Sequence, residues 1–284
     1  MWKTLVDLRK LYVQLAGFLC KHGLAWLGQF LLRCINFVMT RTYPAHFTYV
    51  RHAVWLHEHK SWAIKYPSPD IRFNADRINR DITDIYFHCY TPKLDDVCLE
   101  VGSDIGLETV FMSKLVGPNG KIFAIEAAPD TFAVLQENVA DNKLINVNCQ
   151  NLAISDKNGP VNISASIDGH IGNTILGPSE VIHKVTGKTM DQFIEDNQIE
   201  KIDYLKINIE GAESLLIDAF FKIDRVQNIA ISCHDFLGKI TGDEFYFTKN
   251  KVQKFLQNNG FILVSQSSGV ASVDDWFFGT RPLK

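Results

Sequence analysis

Residues 99–106 read LEVGSDIG, and this stretch decides the fold. Two glycines four residues apart end the apolar run 97–101, and the residues after them have the spacing of a helix. A plain strand disfavours glycine, which loses more backbone entropy on folding than other residues and packs no side chain. The order strand, glycine turn, helix therefore predicts a turn whose backbone lies close to a ligand.

The chain beyond this turn alternates between strand and helix patterns. The predicted strands are 97–101, 121–127, 146–154, 201–210, 228–236, 260–266 and 276–281. The predicted helices are 105–116, 129–142, 212–220 and 248–259. Such alternation predicts a Rossmann-like α/β fold, a doubly wound and mostly parallel sheet with helices on both faces. Ligands of such sheets bind beyond the carboxyl ends of the strands.

Acidic residues narrow the choice of ligand. Glu126 ends the second predicted strand, 20 residues after Gly106, where a carboxylate can accept both hydroxyls of a ribose. A dinucleotide needs a glycine-rich turn that binds pyrophosphate, but this turn carries Glu100, Asp104 and Glu108. Acids suit a cationic ligand better than an anion. The sequence therefore favours S-adenosyl-L-methionine over NAD.

Several motifs in order resemble the FkbM-type S-adenosylmethionine-dependent methyltransferases, over about residues 80–282. They are LEVGSDIG, AIEAAPDTFAVLQENV (124–139), NLAISD (151–156), GKTMDQFIEDNQIEKIDYLKINIEGAE (187–213) and ISCHDF (231–236). The most specific part is IDYLKINIEGAE, which is similar to the family's K-I-D-x-E-G-A-E run. The resemblance implies the class I methyltransferase fold and S-adenosyl-L-methionine as the cofactor.

The resemblance also implies roles for individual residues. The implied cofactor-binding residues are Glu100, Gly102, Ser103, Gly106, Glu126, Ala127, Asn151 and Ala153. Asn208, Glu210 and His234 fall at the carboxyl ends of the fourth and fifth predicted strands, and the resemblance implies that they face the transferable methyl group. His234 is the expected general base, because imidazole titrates near neutral pH. Glu210 is expected to bind substrate hydroxyls, to act as the base or to brace the strand end.

Two departures from the family leave two functions open. The family usually has D-V-G-A-N where this chain has Glu100 to Asp104, and it usually has Asp where this chain has Asn208. Asparagine lacks the charge and donates as well as accepts hydrogen bonds. The leading hypothesis is an O-methyltransferase that acts on a hydroxyl of a glycan, glycolipid or related metabolite. The alternative is a catalytically degenerate fold that serves as a binding or scaffold module.

The N-terminal part differs from the rest in charge and pattern. Residues 1–75 are predicted to form a helical extension, and residues 76–284 the methyltransferase domain. Residues 1–41 carry a net charge of +5, and the remainder carries −8. Their apolar residues have helical spacing, but Arg33, Gln29 and Asn36 interrupt the best candidate for a membrane span. Two interpretations stay open: helices on an anionic membrane surface, or a cap on the domain or on a partner subunit of an oligomer.

The remaining features of the sequence concern nucleic acid, thiols, metals and a loop at the rim of the sheet. The acidic main domain argues against nucleic acid as a partner. Six scattered cysteines without a C-x-x-C pair fit reduced thiols in the cytoplasm. No metal site is predicted, because His52, His57 and His59 lack a convincing set of partner ligands. Residues 157–186 are predicted to form a hairpin or loop at the rim, with 169–174 beside the acceptor.

Overall fold

The computed structural model describes residues 15, 18–19, 22–40, 46–51, 54–58, 62–66, 82–165 and 181–282. The chain forms two compact units, Met1–Arg80 and Asp81–Lys284. Most of the predicted apolar pattern of residues 1–21 lies outside the described residues, as do His52, His59 and the segment 169–174.

The described part of the first unit contains a long helix and a small antiparallel sheet. Helix α1 (Ala25–Thr40) begins two residues after Gly23. Strands β1 (His46–Arg51), β2 (Val54–Glu58) and β3 (Ala63–Tyr66) pair in that order. A purely helical extension was therefore the wrong expectation for residues 46–66, which are rich in the aromatic and β-branched residues that favour strands. None of the helices in the described parts of the chain has both the length and the apolar character needed to cross a membrane.

The second unit is built on a seven-stranded sheet with the order β12-β13-β11-β10-β4-β5-β6. Its strands are β4 (Val97–Val101), β5 (Lys121–Ile125), β6 (Val147–Gln150), β10 (Ile202–Ile207), β11 (Val226–Ser232), β12 (Ile262–Ser265) and β13 (Trp276–Thr280). Its helices are α2 (Leu107–Val116), α3 (Pro129–Asp141), α4 (Met190–Asp196), α5 (Glu213–Asp218), α6 (Asp235–Thr241), α7 (Lys249–Asn258) and α8 (Ala271–Asp274). The predicted alternation of strands and helices is thus confirmed.

The strand order creates one point where the direction of winding reverses. Strands β6, β5, β4, β10 and β11 are parallel, and β13 runs antiparallel between β11 and β12. The chain moves outward from β4 through β5 to β6, then returns to β10 on the other side of β4. The crevice beyond β4 and β10 is the place where doubly wound sheets bind ligands. The predicted fold class is confirmed.

The predicted third strand is split in two. Strand β6 stays in the central sheet, whereas β7 (Ala153–Ile154) joins a second sheet with β8 (Gly159–Ala165) and β9 (Val181–Lys188). Asn151 lies at the break, where its side chain bonds to the neighbouring loop. Strands β8 and β9 pair as antiparallel neighbours, in agreement with the hairpin predicted within 157–186.

The core lies on both faces of the central sheet. Leu99, Val101, Leu205 and Ile207 are fully buried in β4 and β10, next to each other in the sheet. The alternate positions of the same strands face the other side of the sheet, and Cys98, Glu100, Tyr204 and Lys206 there are buried as well. This burial holds the carboxyl ends of β4 and β10 in a fixed register.

Candidate functional site

The carboxyl ends of five parallel strands meet at one edge of the sheet, which we call the strand-end edge. Val101 pairs with both Ile125 and Ile207, and Ile207 pairs with Ile231. Gln150 of β6 pairs with Ile125 in the same row. The strand-end edge therefore contains 102–104, 126–127, 151, 208–210 and 233–234, the residues that follow the aligned positions. These ranges hold most of the residues that the sequence predicts for the site.

Three residues of the strand-end edge adopt a left-handed backbone that side chains disfavour. Asp104, Glu210 and His234 have φ angles of 49°, 53° and 55°. Non-glycine residues in this region are uncommon, and such strain collects at functional sites, where the surrounding structure holds it in place. Each of the three follows a different strand, β4, β10 and β11.

Gly102 is required by the neighbouring strand end. Its φ is +77°, and a Cβ atom there would lie 2.0 Å from the carbonyl oxygen of Asn208. The N–H groups of Gly102 and Ser103 both donate to the carbonyl of Ile125. The sequence predicts bare backbone for the approach of a ligand, whereas the contact in the structure is between the turn and the end of β10.

Gly106 is required by helix packing. Its φ is +85°, and a Cβ atom would lie 2.4 Å from the side chain of Leu135 in α3. Helix α2 begins at the next residue, Leu107. Gly106 was expected to let this helix begin close to a ligand, but its contact within the chain is with α3.

Glu126 links the two loops that follow β4 and β5. Its carboxylate accepts the N–H of Asp104 at 2.9 Å through Oε2 and the N–H of Ala128 at 2.8 Å through Oε1. Burial, and then the Asp104 carboxylate, raise the pKa of Glu126 to about 7, although the backbone donors act in the opposite direction. A carboxylate has about four lone-pair sites. The Ala127 N–H is a third backbone donor to this carboxylate, so about one site stays open for a hydroxyl of a ribose.

Asn151 fixes the same loop from the other side. Its exposed side-chain amide donates to the carbonyls of Glu126 at 2.8 Å and Ala127 at 3.0 Å. Asn151, Ala127 and Glu126 thus lie together, as the resemblance implies. Ala153 is buried two residues further on, where it packs with Ala128 in a small apolar cluster under the hairpin.

Glu100 lies beneath the glycine turn, away from solvent. Lys206, its partner across the sheet, places Nζ 2.8 Å from Glu100 Oε1 and 3.4 Å from Glu108 Oε2. Thr109 donates its hydroxyl to the second oxygen of Glu100, and Ser103 donates its hydroxyl to the Glu100 carbonyl. The two acids expected to attract a cation are therefore offset by an internal lysine.

The charge of Lys206 is fixed by its two acidic neighbours. The carboxylates of Glu100 and Glu108 raise the pKa of Lys206 although burial alone would lower it most. Its ammonium also lies 4.9 Å from the centre of the Tyr86 ring, a cation–π contact. Lys206 is thus held as a cation inside the unit.

His234 is enclosed by two carboxylates. It is 3% exposed, with Nδ1 2.9 Å from Glu213 Oε1 and Nε2 3.5 Å from Glu210 Oε1. Its Nε2 is also 3.5 Å from the Ser232 hydroxyl. Burial lowers the pKa of His234, but the two carboxylates outweigh burial and raise it to about 10. The two carboxylates therefore favour the protonated imidazolium, whereas the expected general base is a neutral ring.

Glu213 is the site residue that sequence reasoning missed. It is fully buried and accepts the N–H of Gly211 at 3.2 Å as well as its bond with His234. The only signal in the sequence was its place at the end of IEGAE (209–213). Asp235, the residue after His234, accepts the N–H groups that begin α7.

Asn208 follows β10, which lies in the sheet between the strands that carry Glu126 and His234. Its backbone N–H donates to Val101 at 2.9 Å, and its half-buried side chain makes no hydrogen bond within the described residues. No group of three His, Cys, Asp or Glu side chains within the described ranges is placed to hold a metal ion. The strand-end edge thus offers carboxylates, an amide and an imidazolium.

A comparison with protein families identifies the larger unit. The model of the methyltransferase FkbM domain matches residues 100–263, which span β4 to β12 and therefore the whole strand-end edge. None of the curated proteins matches the chain.

Solved structures of methyltransferases are similar to the chain. A methyltransferase FkbM from Methylobacillus flagellatus KT has a TM-score of 0.45 and 12% identity, over 69% of this chain and 47% of that one. Fibrillarin from Aeropyrum pernix, with bound S-adenosyl-L-methionine, has a TM-score of 0.42 and 16% identity, over 83% and 100%. An O-methyltransferase from Bacillus cereus has a TM-score of 0.41 and 13% identity, over 66% and 74%.

Proposed function

The chain belongs to the FkbM family of S-adenosyl-L-methionine-dependent methyltransferases, and from that premise we propose that its acceptor is a hydroxyl of a glycan, glycolipid or related metabolite. When bound, the cofactor supplies an electrophilic methyl group, whose transfer to an oxygen releases the hydroxyl proton and leaves the thioether S-adenosylhomocysteine. The chain's own residues must therefore hold the cofactor, orient the hydroxyl and receive its proton.

The single observation that supports this proposal is the convergence of groups at the strand-end edge. Glu126 offers a carboxylate with a lone pair left open, and the turn 102–106 lies next to it through the Asp104 N–H bond. Glu210 and His234 follow the neighbouring strands, with His234 Nε2 3.5 Å from Glu210 Oε1. We propose that Glu126, Ala127, Asn151 and the turn hold the cofactor.

The acceptor side of the proposal rests on Asn208, Glu210 and His234. Glu210 is 21% exposed, so its carboxylate reaches the open side of the edge. The unbonded amide of Asn208 is suited to orient a hydroxyl, since it both donates and accepts. Correct orientation of the reacting groups alone removes about 7–11 kcal/mol from such a barrier.

Calorimetric titration with S-adenosylhomocysteine tests the cofactor half of this proposal. We expect micromolar binding that Glu126→Ala abolishes and that Glu195→Ala, on an exposed carboxylate of α4, leaves unchanged. If the protein is folded by circular dichroism but does not bind S-adenosylhomocysteine, the enzyme hypothesis is contradicted. The scaffold hypothesis is then favoured. Transfer of a labelled methyl group to a panel of hydroxylated glycans and glycolipids, with Asn208→Ala as the comparison, tests the acceptor half.

A second part of the proposal concerns where the acceptor lies. Trp26 and Phe30 of α1 are 69% and 59% exposed, and Cys34 continues the same row at intervals of four residues. Exposed aromatic residues on a helix within a segment of charge +5 fit the surface of an anionic membrane. We propose that residues 1–75 serve as this membrane-facing extension and that residues 76–284 carry the transferase.

Vesicle flotation tests the membrane contact. We expect the full chain to float with anionic vesicles and to remain in the lower fraction with zwitterionic vesicles. We expect the double variant Trp26→Ser and Phe30→Ser not to float with either. The matched control replaces two residues of the other unit, Ile145 and Phe221, which are 87% and 79% exposed. Flotation that survives the first pair of changes contradicts the proposal. If the wild-type chain sediments as an oligomer and this double variant as a monomer, the exposed face of α1 would instead be assigned to contact with a partner subunit.

A further inference from the structure

The imidazole of His234 has no free nitrogen with which to take a proton from an acceptor. Nδ1 is 2.9 Å from Glu213 Oε1, and Nε2 faces Glu210 Oε1 and the Ser232 hydroxyl, each at 3.5 Å. A base needs an unprotonated nitrogen directed at the hydroxyl. Two carboxylates on opposite sides of a buried ring favour a proton on both nitrogens.

Glu213 is enclosed within the fold and bonded to its neighbours. It is fully buried, and the N–H of Gly211 at 3.2 Å and the His234 ring at 2.9 Å both bond its Oε1. The Thr248 hydroxyl lies 3.3 Å from Oε2, but its single proton is directed to the Cys233 carbonyl at 2.5 Å. A buried carboxylate is tolerated only with such partners. Glu213 therefore never reaches the open side of the site and acts only through His234.

Glu210 has the opposite surroundings. It is 21% exposed, it follows β10 directly, and its left-handed backbone holds the carboxylate toward His234. Gly211, the next residue, is crowded by the rings of Phe245 and Tyr246, since a Cβ atom there would lie 2.7 Å from both. This packing fixes the turn that carries Glu210.

We propose that Glu213 is a positioning residue that keeps His234 protonated on both nitrogens, so that His234 orients the Glu210 carboxylate as the group that receives the acceptor's proton. The inference rests on the proposed function for its role in catalysis. Glu210 Oε1 faces His234, and Oε2 takes the hydroxyl proton as the oxygen–methyl bond forms. In this proposal Glu210 is the base, and His234, which the sequence led us to expect as the base, orients it.

The other charged groups near His234 are engaged elsewhere. Asp235 accepts the N–H groups that begin α7, and Asp275 pairs with Lys249 at 3.1 Å. The uncharged titratable neighbours are Tyr246 and Cys233, and burial raises the pKa of each. Glu213 and Glu210 are thus the groups that set the charge of His234.

Nuclear magnetic resonance of the full chain, labelled at the histidine rings, tests this directly. The His234 signal is assigned by its loss in His234→Gln. In the wild-type protein we expect it to stay in the protonated form from pH 6 to pH 9. In Glu213→Gln we expect its midpoint to fall by about 1–3 pH units, the effect of removing one adjacent opposite charge. Asp218→Asn, on an exposed ion pair of α5, is the matched control and should leave the midpoint unchanged.

The outcomes separate this inference from the proposed function. A wild-type midpoint near the ordinary histidine value of about 6.5 overturns the inference, as does a Glu213→Gln midpoint equal to that of the wild type. If Glu213→Gln does not fold, Glu210→Gln at the half-exposed position provides the second test, with a smaller downward shift expected and no shift contradicting the inference. Failure to bind S-adenosylhomocysteine would contradict the proposed function. The NMR titration of His234 would still test the charge of the imidazole.

Discussion

Lys206 and Glu100 occupy paired positions on β10 and β4, and their charged atoms lie 2.8 Å apart inside the core. The two side chains are 2% and 0% exposed. A buried ion pair of this kind adds little net stability compared with apolar residues, but the loss of one partner is costly, because it strands the other charge. The pair also ties together the two strands between which the ligand crevice opens.

Lys206→Met should destabilise the protein by about 3–5 kcal/mol, because Glu100 is left buried without its cation. Lys251→Met, which removes the exposed ion pair with Asp218, should cost about 1 kcal/mol or less. Urea unfolding of both variants, followed by far-ultraviolet circular dichroism, measures the difference. Equal losses for the two changes would show that Glu100 is not dependent on Lys206.

Gly102→Ala should be far more damaging than its backbone angle alone explains. Gly260 has nearly the same φ, +80°, but no atom lies within 4 Å of a Cβ atom built there. Gly260→Ala should therefore cost only the left-handed strain, about 1–2 kcal/mol. Gly102→Ala adds a clash with the Asn208 carbonyl and should also abolish binding of S-adenosylhomocysteine.

Urea unfolding and calorimetry on the two glycine variants decide this prediction. A Gly102→Ala protein that is as stable as Gly260→Ala and still binds the cofactor product would mean that β4 and β10 separate easily. The glycine would then matter for backbone strain alone.

The local part of the fold could be predicted because its signals are local. The apolar run 97–101, the helix entry at Pro129 and the turn 117–120 each lie where their residues indicate. The resemblance added Glu126 and its neighbours. The strands of residues 46–66 were missed, although their aromatic and β-branched residues carry a signal for strands.

The pairings inside the site could not be predicted, because they depend on register across the sheet. Nothing in the sequence sets Lys206 opposite Glu100, 106 residues away, or brings Glu213 against His234. The charge of His234 follows from that second contact. A sequence can suggest which residues gather at the strand ends, but proton positions depend on distances of a few ångströms.

Asn151→Ala should weaken binding of S-adenosylhomocysteine by about 3–10-fold, roughly the value of one net hydrogen bond. Its amide holds the carbonyls of Glu126 and Ala127, so its loss loosens the loop that carries the ribose-binding carboxylate. Asn148→Ala, at an exposed position of β6, is the matched control and should not alter binding. Calorimetry measures both, and unchanged affinity in Asn151→Ala would show that the loop keeps its shape without the amide.

Binding of S-adenosylhomocysteine should strengthen about tenfold between pH 6 and pH 8, because hydroxyl groups donate to the ionised form of Glu126 and its pKa is about 7. Stability should change in the opposite direction. The folded carboxyl holds its proton to higher pH than the unfolded one, so stability falls as the pH rises from about 4.5 to 7. Glu126→Gln should bind weakly and remove both dependences. Calorimetry and urea unfolding across this range measure them, and a wild-type affinity independent of pH would mean that Glu126 is already ionised at pH 6 or does not contact the cofactor.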